Sequence, residues 1–459
     1  MRRGVVAILF VLLGAAAPLA ARPMSDVEAL IDAAAPGGVV LIPTGVYEGN
    51  LVIRKPVVLD GQGEAVLDGL ERGTVVEVLA EGVTIRGCTI RGSGENVTAE
   101  PAGIRVLAGH AVIESNTIED TLFGIDLRQA SDSVVRGNSI ACKKFDPARR
   151  GDGLRLWWSH NCTVEGNTVL SSRDMVFWYS ENLHITRNTV KDSRYGLHFM
   201  YSHDTVLEGN ELTGNSVGVY LMYSNRITLI NNRMLSHRGA SGYGIGLKDC
   251  DDIVVRGNAL LANRVGMYID NSPSSIGATG IVEQNMIAFN EVGLLATPNT
   301  HENVFTRNAF MENEEPAESN GRGRLTGNSF SRDGFGNYWS DYTGFDLDGD
   351  GIGDVAYEPR SLFHEMLAVE PNLRLFVHSP AQQAIEFTAR ALPELQPESV
   401  LVDPAPLAGP PEIKLALPPA DGAAPVMASL AAGLLLASGG LTVVFGRSPG
   451  IPAAPGGRE

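Results

Sequence analysis

Methionine and histidine side chains recur at similar places in successive segments of this 459-residue chain. Thioether and imidazole groups together favour Cu(I) or another soft metal ion, because soft ligands prefer soft cations. The strongest candidate copper ligands are His198, Met200, Met222 and His203, and the next two are His160 and Met267. Their spacing predicts a metal site that is assembled from neighbouring segments of the chain.

Large aromatic side chains accompany these ligands. Three of the four tryptophans fall within residues 157–178. Aromatic and methionine side chains on a surface also favour protein docking. The predicted docking patch consists of Trp157, Trp158, Trp178, Tyr179, Tyr201 and Tyr223. Three interpretations stay open: contact with a partner or cargo, direct metal ligation, and packing beneath a loop or the C-terminal segment.

The elements that must position these side chains are repeats of about 22 residues with an asparagine near the centre. Asparagine tolerates a left-handed bend, and its amide can bond the equivalent amide of the next repeat. The predicted ladder therefore has a structural role. Its positions are Cys88 (in place of Asn), Asn116, Asn138, Asn167, Asn188, Asn210, Asn232, Asn258, Asn285, Asn308 and Asn328.

Within each repeat, apolar residues alternate with a period of two in short β-branched segments bounded by Gly or Asn. This pattern predicts an all-β fold, a right-handed parallel β-helix with one repeat per coil. Between successive Asn-centred phrases lies a second short segment that begins with a glycine. Counting forward from the start of this segment places Trp157, Trp178, Met200 and Met222 in one column. Residues of one column stack on one face, so the candidate ligands and aromatic residues are predicted to share a surface.

The composition of the two ends of the chain predicts segments that do not belong to the β-helix. A basic start, an apolar run and small residues predict a signal peptide. Nine prolines between residues 393 and 425 predict an extended tether, and twenty uncharged residues followed by Arg447 predict a single membrane span. The predicted segments are 1–21 signal peptide, 24–335 β-helix coils, 336–375 Asp-rich loop and end of the β-helix, 376–425 tether in a short helical or extended C-terminal segment, 426–445 transmembrane helix, and 446–459 cytoplasmic tail.

An Asp-rich loop follows the coils. Four aspartates stand at loop places 1, 3, 5 and 9, a glycine stands at place 6, and a backbone carbonyl is available at place 7, as in calcium loops. The twelfth place is Tyr357 instead of Glu, so the motif is not a complete EF-hand. The predicted calcium ligands, with a structural role, are Asp346, Asp348, Asp350, the Ile352 carbonyl and Asp354.

Charge and cysteine content narrow the classes of partner. The net charge of −17 argues against nucleic acid as a partner and suits a cationic cargo or a basic protein surface. Cys88 and Cys250 occupy inward places and are predicted to be buried thiols. Cys142 and Cys162 fall on neighbouring coils, and whether they form a disulfide stays open.

The sequence resembles the NosD family, exported β-helix proteins of nitrous-oxide-reductase maturation. The match begins at Gly45-Val-Tyr-Glu-Gly-Asn50 and Val57-Val-Leu-Asp-Gly-Gln-Gly63 and continues through the Asn-centred coils. It is most specific at Gly336-Asn-Tyr-Trp-Ser-Asp-Tyr-Thr-Gly-Phe-Asp-Leu-Asp-Gly-Asp-Gly-Ile-Gly-Asp354. Pro371-Asn-Leu-Arg-Leu375, Ser379-Pro-Ala381 and Val402-Asp-Pro-Ala-Pro-Leu407 extend the resemblance over nearly the whole chain.

The resemblance implies copper binding in the periplasm of denitrifying bacteria, without catalysis. The implied partners are nitrous oxide reductase, a copper chaperone lipoprotein, and an ABC-type ATPase with its membrane permease. A C-terminal span would anchor the chain to the inner membrane. The resemblance supplies no copper ligands, so the Met and His candidates rest on the columns alone.

A carbohydrate-active enzyme is the competing class, as a polysaccharide lyase, hydrolase or uronate epimerase. Such enzymes need convergent carboxylates, or a carboxylate with a basic group, in one groove. The nearest candidates are Lys248-Asp-Cys-Asp-Asp252 and Asp270. A scaffold or adhesin without metal is a third class.

Overall fold

The computed structural model describes residues 21–413, with the exception of 378, 393, 395 and 396. Within this range the chain winds into a right-handed parallel β-helix, which confirms that part of the predicted fold class. Every pairing between neighbouring strands is parallel and joins one coil to the next, for example Leu154–Trp157 with Asp174–Trp178. The β-helix is therefore a stack of coils in which each residue lies above its equivalent.

One face of the β-helix is a sheet of twelve strands, here called sheet 1. Its strands are Leu51–Ile53, Val76–Val78, Ala102–Val106, Phe123–Arg128, Leu154–Trp157, Asp174–Trp178, Tyr195–Met200, Val217–Met222, Tyr243–Lys248, Val265–Asp270, Val292–Ala296 and Glu315–Ser319. The candidate ligands and the aromatic residues of the predicted docking patch lie on this sheet or shortly after its strands.

The remaining faces belong to a second sheet of 24 strands, here called sheet 2. One row consists of Val39–Leu41, Val58–Asp68, Thr84–Arg91, Val112–Glu114, Val134–Arg136, Thr163–Glu165, His184–Thr186, Thr205–Glu208, Ile227–Ile230, Ile253–Arg256, Gly280–Glu283 and Asn303–Thr306. The other strands are Arg22–Pro23, Gly45–Glu48, Thr117–Thr121, Ser139–Cys142, Thr168–Leu170, Thr189–Lys191, Glu211–Thr213, Arg233–Leu235, Ala259–Leu261, Met286–Ala288, Ala309–Met311 and Tyr338–Trp339.

The asparagine ladder runs through the interior as predicted, with one correction at its end. Asn188 and Asn210 are fully buried, and each side chain accepts the backbone N–H of the preceding rung. After Asn308 the next rung is Asn337, whose Oδ1 accepts from Asn308 Nδ2 at 2.8 Å. Asn328 instead accepts from Asn303 at another corner. The prediction failed because an irregular loop lengthens this coil, so that the Gly-Asn phrase no longer marks the rung.

Both ends of the stack are covered. Helix α1 (Ser25–Ala33) buries Val27 and Ile31 at the start of the β-helix. At the other end Trp339 stacks on Phe310, with ring centroids 4.3 Å apart, and on Tyr357, at 4.5 Å. Aromatic side chains thus close the apolar interior where the coils stop.

Part of the segment predicted as a short helical or extended tether is packed against the last coil. Helices α2 (Leu362–Val369) and α3 (Pro380–Ala391) and the 3₁₀ turn Pro371–Phe376 follow the β-helix, so α3 falls inside the predicted tether. Asp403 is fully buried and pairs with Tyr357 at the covered end. Proline content suggested an open chain, but the apolar and hydrogen-bonding groups around Asp403 find partners on the last coil.

The membrane span was part of the predicted fold class, and it is not supported. Among residues 21–413, with the gaps given above, none of the helices has the length and apolar character needed to span a membrane. The anchoring of the chain to the inner membrane loses its basis with the span. Residues 426–445, the signal peptide up to residue 20 and the predicted cytoplasmic tail lie outside the described residues.

All four cysteines are buried and unpaired, so Cys142 and Cys162 form no disulfide in this structure. Burial raises the pKa of Cys250 to about 12 and that of Cys162 to about 11. These thiols stay protonated near neutral pH, and a metal prefers the thiolate. The cysteines therefore serve as small apolar groups of the interior.

Candidate functional site

The predicted columns of candidate ligands correspond to rows of neighbours across sheet 1. Trp157 pairs with Trp178, Trp178 with Met200, and Met200 with Met222. His198 lies on the strand of Met200, two residues earlier, and therefore on the same outer face. Both methionines are half-buried, whereas His198 is only 5% exposed. The structure thus brings His198, Met200 and Met222 together.

Beside this row, the side chains that directly follow the strands form an aromatic rail, Trp158, Tyr179, Tyr201 and Tyr223. Successive ring centroids are 5.0, 5.2 and 4.9 Å apart and the rings are nearly parallel. All four residues have φ of 51–52°, in the left-handed region that bulky side chains seldom adopt. Such strain persists only where surrounding contacts compensate for it, and here the stacking between coils does so.

The rail is open to solvent at one end and in the middle. Trp158 is 48% exposed and Tyr201 is 42% exposed, and Trp157, which lies beside the rail, is 40% exposed. A second series of tyrosines, which the column analysis did not predict as a unit, runs along the same face through Tyr195, Tyr220, Tyr243 and Tyr268. Tyr220 is the direct partner of His198 on the next coil. Tyr195 and Tyr243 come directly before Gly196 and Gly244, whereas the column count considered only places after each glycine. Met200 and Met222 therefore lie between the rail and this series of tyrosines.

His198 is held by a buried carboxylate. Its Nδ1 lies 3.4 Å from Oδ2 of Asp174. The Asp174 carboxylate also accepts a hydrogen bond from Nε of Arg194. Burial alone would raise the pKa of Asp174, but the hydrogen bonds from His198 and Arg194 outweigh it, so the pKa is lowered. An ionised carboxylate can only accept, so Nδ1 of His198 carries a proton, and in the neutral ring Nε2 then keeps a free lone pair.

His160 and His203 have the opposite arrangement. Nδ1 of His160 accepts the backbone N–H of Glu181 at 3.2 Å, and Nδ1 of His203 accepts that of Asn225 at 3.1 Å. A ring nitrogen that accepts is unprotonated, so the proton of each neutral ring is on Nε2. Ligating histidines usually donate their second N–H to a carboxylate or carbonyl, which His198 does and these two do not.

Met267 does not join the other candidates. Its side chain is 1% exposed and lies between Ile245 and Leu294 in the interior. The reason is strand alternation: Met267 comes one place after Gly266, where the side chain points inward, whereas Met200 and Met222 come four places after their glycines. The structure separates it from the outer face of sheet 1.

Charged groups lie at both ends of this aromatic region. Asp126 is fully buried and binds Arg105, Arg128 and Arg155, and Glu100 adds a second carboxylate to this cluster. At the other end Lys248 lies 3.7 Å from Asp270.

The enzyme alternative relied on this second group. Asp251 accepts hydrogen bonds from Ser274 and Ser275, Asp252 accepts the backbone N–H of Thr279, and Cys250 is buried. These side chains mainly fix the loop that follows the strand ending at Asp270.

The Asp-rich loop brings three of its predicted ligands together. Carboxylate oxygens of Asp346, Asp348 and Asp350 lie within 4.8 Å of one another. Backbone N–H groups of Gly349 and Gly351 bind Asp346 and lower its pKa. Asp354 accepts the N–H of Leu347, and Ile352 pairs with Leu407 of the covering segment. The donor set of closely spaced carboxylates fits a hard cation such as calcium.

Comparison with known proteins decides the family. Residues 142–344 match the family model described as periplasmic copper-binding protein (NosD). A "Probable ABC transporter binding protein NosD" from Pseudomonas aeruginosa is 32% identical over 372 residues, which are 78% of this chain and 86% of the relative. The chain belongs to the NosD family. A relative of the same name from Stutzerimonas stutzeri is 29% identical over 376 residues, 78% of this chain and 84% of the relative.

Family membership confirms the resemblance and bears on the site. The matched range contains both series of aromatic residues up to Tyr268 and the three candidate ligands His198, Met200 and Met222. The family description mentions copper binding and the periplasm, and the names of both relatives mention an ABC transporter. A solved alginate lyase, AlyF-OU02, aligns with a TM-score of 0.51 at 14% identity, covering 68% of this chain and 84% of the lyase. At that identity the likeness concerns the fold alone.

Proposed function

We propose that the chain is a periplasmic maturation factor that carries or presents copper for the copper–sulfide centre of nitrous oxide reductase. It would work without catalysing a reaction of its own, alongside an ABC-type ATPase and permease, in denitrification. The observation that carries this proposal is the grouping of Met200, Met222 and His198 on one outer face. This donor set suits Cu(I), and the family description names copper binding.

The aromatic residues give the proposal its docking surface. The patch of Trp157, Trp158, Trp178, Tyr179, Tyr201 and Tyr223 borders the ligands, so a partner seated on it would face the metal. Aromatic side chains that are rigid and partly exposed supply large contact area at little entropic cost. The donor would be the copper chaperone lipoprotein and the acceptor the reductase.

Transfer requires a site that releases its ion. Thioethers are neutral and polarizable, and both methionines are half-buried, so an incoming ligand can approach them. In the proposed sequence, a docked donor passes Cu(I) to the chain by exchange of neutral ligands, and no electron is transferred. Movement of the ATP-driven membrane partner then changes how the β-helix faces the reductase.

The test is maturation of nitrous oxide reductase in cells that lack this chain and are complemented with it. We expect reductase from the deleted strain to lack the copper–sulfide centre and complementation to restore it, as measured by copper content and visible absorption. A strain lacking the chaperone lipoprotein provides a control for copper supply. A reductase with a complete centre in the deleted strain would contradict the proposal.

A further inference from the structure

His198 has a buried ring nitrogen that the surrounding protein leaves without a partner. The Nε2 atom is buried and makes no hydrogen bond to any of the described residues. Leaving a buried polar atom unsatisfied costs about 1–3 kcal/mol, so such atoms in native proteins need an explanation. The other ring nitrogen is fixed by Asp174, which holds the imidazole in the tautomer whose Nε2 can bind a metal.

The contact with Asp174 limits the direction of this nitrogen. Asp174 pairs with Tyr195 at the start of the strand, three residues before His198. Nδ1 and Nε2 point in widely different directions from the ring, so the contact of Nδ1 with Asp174 leaves Nε2 facing away from that carboxylate. Met200 comes two residues after His198 on the strand, and Met222 is its partner on the next coil.

The distances between these positions suit one ion. Residues two apart on a strand are about 7 Å apart at Cα, and neighbouring strands lie about 4.8 Å apart. Thioether side chains have three rotatable bonds and can converge on a point above such a triangle. Trp178, next to Met200 on the preceding coil, packs edge-on against the His198 ring with centroids 5.5 Å apart. Its indole lies at the edge of the same space.

We propose that Cu(I) is bound by Nε2 of His198 and the sulfur atoms of Met200 and Met222, with Trp178 beside the ion. Asp174 is the positioning residue, because it acts only through His198. This inference rests on the proposed function in taking Cu(I) as the cargo, and it specifies the ligands. It assigns His160, His203 and Met267 no place in the site.

One purely structural explanation competes with this site. Nε1 of Trp178 is also buried without a partner among the described residues, and a small ring movement would let it donate to Nε2 of His198. In that case the pair would satisfy each other, and the methionines would be ordinary surface groups. The substitution Trp178→Phe separates the two explanations, because it removes the N–H and keeps an aromatic face.

The experiment measures Cu(I) affinity of the full exported chain by competition with bicinchoninate under anaerobic, reducing conditions. We expect one Cu(I) per chain. Met200→Leu and Met222→Leu should each weaken binding about tenfold or more, and His198→Asn more still, while Asp174→Asn should weaken it about 10- to 100-fold through the ring orientation. Met311→Leu on sheet 2 and His203→Gln are the matched controls and should bind like the unchanged protein.

X-ray absorption at the copper edge gives a second readout, which a merely structural role of Asp174 or His198 would not move. We expect one nitrogen and two sulfur neighbours, the nitrogen contribution falling in His198→Asn and one sulfur disappearing in each Leu variant. Unchanged melting temperatures would verify folding, and Trp178→Phe should keep the nitrogen and both sulfurs.

Equal affinity of the His198, Met200 and Met222 variants and the unchanged protein would overturn this ligand set, even if reductase maturation still depended on the chain. Maturation that proceeds without the chain would instead overturn the proposed function. The two failures are therefore distinguishable.

Discussion

Oδ2 of Asp403 accepts the backbone N–H of Asn337 at 2.8 Å and Nε1 of Trp339 at 2.9 Å, so it is the last acceptor of the asparagine ladder. The rungs from Asn116 to Asn337 are asparagines, each of which accepts from one coil and donates to another. A carboxylate only accepts, so it can end the series without leaving a donor unpaired. Burial raises the pKa of Asp403, and the hydrogen bonds from Trp339 and Asn337 partly oppose this rise.

Removing this acceptor should destabilise the end of the β-helix. Asp403→Ala leaves the N–H groups of Asn337 and Trp339 buried without an acceptor, at a cost of about 1–3 kcal/mol each. We expect the free energy of unfolding in urea to fall by about 2–4 kcal/mol. Glu28→Ala, at an exposed place on α1, should change it little, and equal effects of the two substitutions would contradict the role of Asp403.

The corrected ladder gives a second prediction about stability. Asn337 is fully buried and its amide binds Phe305 and Phe330, whereas Asn328 is only half-buried at a different corner. Asn337→Ala should therefore lower the free energy of unfolding by about 1 kcal/mol or more beyond the loss in Asn328→Ala. Chemical denaturation of the two variants side by side measures this difference. The reverse order would restore Asn328 as the rung.

The aromatic rail should matter for docking and leave copper affinity unaffected. Trp158→Ser with Tyr201→Ser removes exposed aromatic area, and we expect binding of the copper chaperone lipoprotein to weaken about tenfold or more. Surface plasmon resonance measures this loss, and bicinchoninate competition should give an unchanged Cu(I) affinity.

Phe289→Ser is the matched control for the rail. Phe289 is also an exposed aromatic residue in the left-handed region, with φ of 59° and 60% exposure, but it follows a strand of sheet 2. Loss of chaperone binding in this variant, or none in the double variant, would show that the rail is not the docking surface.

Calcium should stabilise the Asp-rich loop. If Asp346, Asp348 and Asp350 hold the ion, adding millimolar calcium should raise the melting temperature by several degrees, because a ligand that binds only the folded state stabilises it. Chelation should reverse the effect, and Asp346→Asn with Asp350→Asn should abolish it. A shift of the same size in this variant would place the effect of calcium elsewhere.

Glu315 should make stability depend on pH. Burial, together with the charges of Glu318, Glu386 and Asp341, raises the pKa of Glu315 to about 8. A carboxyl group whose folded-state pKa lies above its unfolded value stabilises the fold at low pH, and this contribution is lost as the pH rises from about 4.5 to about 8. Glu315→Gln should therefore unfold at a higher temperature than the unchanged protein at pH 8.

The same substitution should have little effect near pH 4.5, where both side chains are neutral. Thermal unfolding followed across this range measures the difference between the two proteins. Parallel pH profiles would mean that Glu315 titrates normally and would contradict the raised pKa. Glu28→Gln provides the control for an exposed carboxylate.

Much of the site could be predicted from the sequence because the fold repeats. Each coil lies above the previous one, so a column count along the chain was enough to place Trp178, Met200 and Met222 side by side. The recurring Asn-centred phrase misplaced the ladder after Asn308, where an irregular loop breaks the period. Met267 was a candidate outside these columns, and strand alternation directs its side chain inward.

The sequence by itself determined the parallel β-helix, its asparagine ladder and the face that carries the soft ligands, because local alternation and a near-constant repeat encode all three. The tertiary structure decided which histidine has a nitrogen free for a metal. That choice depends on Asp174 and Arg194 for His198, and on backbone N–H groups of the next coil for His160 and His203. It also decided that Asp403 ends the ladder, 66 residues from Asn337, because no period connects contacts over that distance.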